Sequence, residues 1–219
     1  MLLALLPSLL FGAMGLVLGA WPTDQRRQNL WTLIGAAAIS VAAAPVVGGV
    51  WSVKATLLGV LSGLMWSCGQ ILVLRGFAAW GVSRTMPVTT ALQLVLNGVI
   101  GIIAFGEWRA PGAMPLGLTA LGPVILGAVA CSWNEGTGAG PTAAQRRTGL
   151  TVTIGSAFMY GLYPSILRGA GVSTPDALAP MSIGLLLGQT RTRKETAVTV
   201  VGVVAAVIGV VLLGTASSR

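Results

Sequence analysis

The chain contains no histidine, two cysteines and few charged residues, which make up only 8% of its 219 positions. The absence of histidine removes the commonest catalytic base and metal ligand. Cys68 and Cys131 both fall inside apolar runs, so we expect them to pack as small side chains and to form neither a disulfide nor a metal site. No acidic or basic residue stands in the middle of an apolar segment, so the usual intramembrane proton relay is missing. We therefore predict that the protein is not an enzyme and that it holds no metal or organic cofactor.

The sequence is predominantly apolar: 54% of its residues are hydrophobic. Most of the apolar segments have about the 20 residues that cross a hydrocarbon core. There are eight of them, at roughly 2–20, 29–50, 55–74, 85–106, 112–133, 149–168, 175–189 and 196–214. The first lacks the basic start of a signal peptide, and the seventh is short enough to be a re-entrant or half-length helix. The prediction is an all-α, polytopic membrane protein with about eight transmembrane helices.

The basic residues predict how the chain is oriented in its membrane. The net charge is +8, but these residues stand singly or in small groups between apolar runs, which is typical of cytoplasmic loops and not of nucleic-acid binding. Nine follow the odd-numbered segments: Arg26, Arg27, Arg75, Arg84, Arg146, Arg147, Arg191, Arg193 and Lys194. The opposite side holds four: Lys54, Arg109, Arg168 and Arg219. We therefore expect an outside N-terminus.

A Gly-rich, basic stretch at 134–148 is the natural boundary between two halves. We predict a first five-helix repeat at 1–133, a cytoplasmic linker at 134–148 and a shortened second repeat at 149–219. The stretches FGEWRAPGA and LGQTRTRKE are weakly similar, as in transporters that are built from two repeats. Pairs of glycines with GxxxG spacing favour ordinary close packing of helices: Gly15/Gly19, Gly59/Gly63 and Gly184/Gly188.

The fourth segment carries a polar stripe of Thr85, Thr89, Gln93 and Asn97, each four residues after the last. This spacing places all four on one face of a helix. Neutral hydroxyls and amides suit an uncharged, hydroxyl-rich solute better than an ion. Two interpretations stay open. The stripe either binds a solute or forms hydrogen bonds between helices without any ligand. Thr85 also fits a capping role, because Pro87 lies in the first turn of the predicted helix.

Further candidates lie in other segments. Trp66 stands in the middle of the third segment, with Gln70 one turn later, and an indole beside an amide commonly holds a sugar ring. Tyr160, Tyr163 and Pro164 in the sixth segment either face a cavity from the second half or fill a helix interface.

Glu107 ends the fourth segment and has two interpretations. It is either a proton-coupling carboxylate or, as we favour, half of an interfacial ion pair with Arg109.

The quoted residues resemble the glucose/ribose porter family, the bacterial glucose-uptake proteins of the drug/metabolite transporter superfamily. The resemblance is carried by LLALLPSLLFGAMG, by GLMWSCGQ, and by GVSRTMPVTTALQLV followed by FGEW. It implies ten helices in two inverted repeats and alternating-access uptake of glucose or a similar monosaccharide, with protons as a candidate coupling ion. Residue by residue, it implies a sugar site formed by Trp66, Gln70, Thr89, Gln93 and Asn97.

The chain departs from that family pattern between Gly188 and Thr190, where the family would have another pair of helices. The polar face of the fourth segment would then meet lipid, a shifted neighbour or a second copy of the chain, so self-association is one expectation. The alternative functions are a truncated, non-transporting remnant or interaction subunit, and a small multidrug or metabolite exporter. Such an exporter usually needs a carboxylate inside the membrane, which the sequence does not offer.

Overall fold

The computed structural model describes residues 24–50, 52–132 and 140–188, together with residues 9, 10, 13, 14, 16, 17 and 20. Six helices have defined bounds within these ranges, and the same ranges contain no strand. The helices are α1 (Gln25–Val47), α2 (Val53–Trp80), α3 (Val82–Phe105), α4 (Ala113–Ser132), α5 (Ala143–Gly169) and α6 (Thr174–Leu187). The all-α prediction is confirmed.

Four of these helices are long and apolar enough to cross a membrane: α2, α3, α4 over Ala113–Ala130, and α5. The protein is therefore a polytopic membrane protein. The count of eight spans stays a prediction, because most of the first segment and all of the eighth lie outside the described residues. Helix α6, the seventh segment, has 14 residues. At about 1.5 Å per residue it extends roughly 21 Å, less than the core of about 30 Å.

Local sequence sets where α5 begins. The Thr142 hydroxyl accepts the backbone N–H of Gln145, and the Gln145 side chain accepts the backbone N–H of Thr142, at 3.3 and 2.8 Å. This reciprocal pair is a capping box, which satisfies two amides that a helix start leaves open. Helix α5 therefore begins at Ala143. Residues 143–148 of the predicted linker at 134–148 therefore belong to this helix, and the division of the chain into two repeats stays a prediction.

Helix α2 is the central element of the described bundle. It packs mainly against α5 and α6 and borders α3 as well, while α1 packs on α6 and α4 packs on α3. The crossing of α2 and α6 depends on glycine. A Cβ atom on Gly63 would overlap the carbonyl of Met181, and one on Gly184 would overlap the carbonyl of Val60. The packing role that GxxxG spacing predicted for Gly59/Gly63 and Gly184/Gly188 is thus confirmed; Gly15 and Gly19 lie outside the described residues.

The polar and apolar residues of the bundle are distributed as a lipid environment requires. Large apolar side chains point outward, including Ile103, which is 77% exposed, and Leu116, which is 72% exposed. Several fully buried side chains are small and polar: Ser62, Ser67, Thr85, Thr153, Ser156 and Ser182. Cys68 is exposed on α2, so the expectation that it packs in the interior is wrong. Hydrogen-bonding groups are therefore concentrated between the helices.

A polar contact joins the end of α1 to the start of α6. The backbone N–H of Val50 donates to Oδ1 of Asp176 at 2.6 Å. Hydrogen bonds from the Ser173 hydroxyl and from the Val50 amide hold the pKa of Asp176 below its usual value. The carboxylate therefore stays charged in the folded protein, and it also lies in the first turn of α6, where the helix dipole favours a negative charge.

Candidate functional site

Most of the predicted site residues lie on α2, α3 and α5, three helices that pack against one another. We call this group the interhelical polar cluster. Its members are Trp66 and Gln70 of α2, Thr89, Gln93 and Asn97 of α3, and Thr153, Ser156 and Tyr160 of α5.

Tyr160 is the centre of this cluster. Its hydroxyl donates to Oε1 of Gln70 at 2.6 Å, and the two residues are only 3% and 1% exposed. Its ring lies 5.9 Å from the ring of Trp66, tilted by 50°. Gly69 makes room for that ring, because a Cβ atom there would lie 2.8 Å from it. Tyr160 therefore fills the interface between α5 and α2, which was one of its two interpretations.

The polar face of α3 divides into a structural part and a candidate binding part. The fully buried Thr85 hydroxyl donates to the Gly81 carbonyl and accepts from the Trp80 indole N–H, each at 2.8 Å. Helix α3 begins at Val82 with Gly81 as its N-cap, so Thr85 is not the cap itself but binds the capping residue. Its hydrogen bonds are used within the protein, which agrees with the structural interpretation.

Further along α3, the remaining polar side chains have few partners. The Gln93 amide faces the Tyr160 backbone carbonyl at 3.5 Å, which is the outer limit of a hydrogen bond. Thr89 is 3% exposed and Asn97 is half-buried. Helix α5 therefore covers part of this polar face of α3. The neighbour that we expected this face to need is thus another helix of the same chain.

The cluster offers more hydrogen bonds than the described protein uses. The buried polar atoms that lack a partner among the described residues are Gln70 Nε2, Thr89 Oγ1, Asn97 Oδ1, Thr153 Oγ1, Ser156 Oγ and, elsewhere on α2, Ser62 Oγ. A buried polar group without a partner costs about 1–3 kcal/mol. Such a concentration is expected where a polar solute or water completes the hydrogen bonding.

Sequence analysis missed Thr153 and Ser156. They stand in TVTIGSAFMY, where Thr153, Ser156 and Tyr160 are spaced by three and four residues and so share one helix face. The same spacing argument that identified the α3 stripe would have found them. Tyr163 and Pro164, which the sequence also suggested, are half-buried on α5.

The ion pair of Glu107 differs from the prediction. Glu107 follows the end of α3 and pairs with Arg168 near the end of α5, not with Arg109. The Arg168 guanidinium carbon also lies 4.5 Å from the centroid of the Phe105 ring. This contact is favourable because the face of an aromatic ring attracts a cation. This pair could not be predicted from local spacing, because its members are 61 residues apart. Both side chains are more than a third exposed, so the pair contributes little to stability but does connect the two halves.

The interhelical polar cluster contains no charged side chain. Among the described residues, the acidic ones are Asp24, Glu107 and Asp176, and each lies at a helix end. The described residues also hold no group of three or more side chains that would bind a metal ion. The arrangement therefore suits hydrogen bonding to a neutral molecule and stacking against an aromatic face.

Comparison with known proteins agrees with this description. The family model for sugar transport proteins matches residues 2–189. The chain is 36% identical over 194 residues to the glucose uptake protein GlcU of Bacillus subtilis, an alignment covering 86% of the chain and 66% of that protein. It is 34% identical over 190 residues to a probable glucose uptake protein GlcU of Bacillus cereus, covering 85% of the chain and 65% of the relative. The chain thus spans just under two thirds of the length of these relatives, and no solved structure matches it significantly. The family match over most of its length shows that the chain belongs to the sugar transport protein family.

Proposed function

We propose that the protein takes up glucose or a similar uncharged monosaccharide across the bacterial cytoplasmic membrane, with the interhelical polar cluster as its solute site. One observation carries this proposal: buried, uncharged hydrogen-bonding groups without partners lie between α2, α3 and α5. A monosaccharide supplies several hydroxyls, each of which donates and accepts. The names of the relatives, which are glucose uptake proteins, support the same solute class.

Each predicted residue then has a distinct role. Trp66, half-buried beside Tyr160, offers an indole face to the C–H face of a sugar ring. Gln70 keeps its Nε2 group available because only Oε1 is bonded to Tyr160. Thr89 and Asn97 offer an unpartnered hydroxyl and carbonyl, and Gln93 exchanges its long contact with the Tyr160 carbonyl for a solute hydroxyl.

Transport by alternating access requires relative movement of two halves of the protein. In this proposal the contacts of Tyr160 and Arg168, both on α5, are the contacts that change. Tyr160 joins α5 to Gln70 inside the bundle, and Arg168 joins it to Glu107 at the helix ends. Proton coupling is part of the proposal on grounds of family resemblance, and Glu107 is its candidate group. Neither catalytic chemistry nor a cofactor is proposed.

A non-transporting interaction subunit is the second candidate, because the sequence departs from the family pattern between Gly188 and Thr190. Such a protein would retain the solute site on α2, α3 and α5 but would not move the solute. Self-association would then cover polar groups that would otherwise face lipid. A cation exporter is disfavoured, because the described spans α2 to α5 hold no carboxylate.

Radiolabelled glucose binding to the purified full chain in detergent tests the site. Losing a hydrogen bond and leaving its partner unpaired costs about 1–3 kcal/mol, so Gln93→Ala and Trp66→Ala are expected to weaken binding by roughly tenfold or more. Thr89→Ala is compared with Thr90→Ala, since Thr90 is the exposed neighbour on α3 and is expected to have no effect.

Uptake by bacteria that lack their own glucose transporters separates the two candidate functions. Binding together with uptake supports the transporter. Binding without uptake selects the interaction subunit. A well-folded chain that binds no monosaccharide would refute both.

A further inference from the structure

We infer that Thr153 and Ser156 of α5 are solute-binding residues, so that the second half of the protein forms part of the site. This inference rests on the proposed function and extends it to residues that the resemblance did not assign. Both side chains are fully buried, at 0% exposure, and neither hydroxyl has a partner among the described residues.

The hydroxyls elsewhere on the same helix show why this is unusual. In a helix, a serine or threonine commonly donates to the carbonyl four residues earlier. Thr151 does so to Arg147 at 2.9 Å, and Ser165 does so to Gly161 at 3.1 Å. Thr153 and Ser156 have the same opportunity within α5 but do not use it. Their hydroxyls therefore remain available to a group outside their own helix.

The packing of the helices places the Thr153 hydroxyl between α5, α2 and α3. A Cβ atom on Gly76 would lie 3.0 Å from the Thr85 hydroxyl and 3.3 Å from the Thr153 hydroxyl, so α3 and α5 converge at that point of α2. Two turns further along, Gly69 borders the Tyr160 ring.

Between these two points, Ser156 lies one turn before Tyr160 on α5, and Thr89 lies one turn before Gln93 on α3. Because Gly76 and Gly69 lack side chains, Thr85 of α3 and Tyr160 of α5 pack directly against the backbone of α2. The hydroxyls of Thr153 and Ser156 lie on the same face of α5 as Tyr160. A sugar held there contacts both halves, which gives its binding a direct influence on their relative position.

Four variants of the full chain test the inference by radiolabelled glucose binding. Thr153→Val and Ser156→Ala remove the proposed hydroxyls, whereas Thr151→Val and Ser165→Ala remove hydroxyls that are bonded within α5. A neutral hydrogen bond is worth about 0.5–1.5 kcal/mol, so each of the first pair is expected to weaken binding by roughly two- to tenfold. The second pair should bind glucose as the wild type does.

Two further measurements separate binding from structural effects. Thr153→Ser keeps the hydroxyl and should restore affinity, and a deoxyglucose that lacks the bonded hydroxyl should bind equally to wild type and Thr153→Val. Without sugar, Thr153→Val should melt at or above the wild-type temperature, because it removes a buried group that lacks a partner. A lower melting temperature would show that the hydroxyl is bonded within the protein and would overturn the inference.

The binding results also distinguish this inference from the proposed function. If wild type binds glucose and Thr153→Val and Ser156→Ala bind it equally well, the inference fails while the proposed function stands. If the folded wild type binds no monosaccharide, the proposed function fails and the inference fails with it.

Discussion

The hydrogen bond between Tyr160 and Gln70 should be a measurable link between α5 and α2. Tyr160→Phe keeps the ring beside Trp66 but leaves Oε1 of Gln70 buried without its donor. Because Gln70 is only 1% exposed, water cannot replace that donor without rearrangement. The expected destabilisation is about 1–3 kcal/mol. Gln70→Leu should cost a similar amount, since it leaves the Tyr160 hydroxyl unpaired instead.

The two changes together test the physical argument. Replacing both members of a buried hydrogen bond by apolar groups of similar shape is nearly neutral, so the double variant should be more stable than either single one. Unfolding by added SDS, followed by tryptophan fluorescence, measures the three free energies. Tyr163→Phe is the comparison variant, because Tyr163 is a half-buried tyrosine of the same helix that is not part of the Tyr160–Gln70 hydrogen bond. Additive losses in the double variant would show that these two groups do not interact.

Three other predictions concern packing, orientation and pH. Gly63→Ala should destabilise the protein by about 1–3 kcal/mol in the same SDS assay, because its methyl group would overlap α6. Gly122→Ala should have no such effect, because the space around Gly122 is open. Equal effects of the two changes would contradict the close crossing of α2 and α6. If the N-terminus is outside, a membrane-impermeant maleimide added to whole cells should label Ala110→Cys but not Thr142→Cys, and the opposite pattern would reverse the orientation. Because the pKa of Asp176 is lowered by folding, its contribution to stability should be present at neutral pH and lost as pH falls below about 4. Asp176→Asn should therefore be less stable than wild type at pH 7, and the difference in SDS unfolding should shrink as the pH is lowered through the acidic range; a pH-independent difference would refute the assignment.

The sequence predicted those features that depend on spacing along one helix. The four-residue spacing of Thr85, Thr89, Gln93 and Asn97 identified the inner face of α3 correctly, because side-chain direction in a helix follows from position alone. The GxxxG pairs likewise predicted close packing, since a missing Cβ atom permits close approach whichever helix is the neighbour.

Features that depend on two distant segments were not available from spacing. The partner of Glu107 was assigned to Arg109 because the two are close in sequence, whereas the folded chain brings Arg168 to it from the end of α5. The start of α5 was placed too late for a different reason. Its first turn, with Arg146 and Arg147, is polar, and only the capping pair of Thr142 and Gln145 marks it as helix.

The described structure also bears on how a polar helix face is accommodated inside a membrane. Polar groups that face hydrocarbon are costly, so the α3 face needs a neighbour. Helix α5 supplies one, but it brings polar groups of its own, and the resulting interface keeps unpartnered atoms on both sides. An interface that evolved only to cover α3 would be expected to pair these groups with each other or to replace them by apolar residues. Because Gln70, Thr89 and Thr153 instead stay buried and incompletely bonded, the interface retains the chemistry of a binding site, and that argues for a solute more strongly than for packing alone.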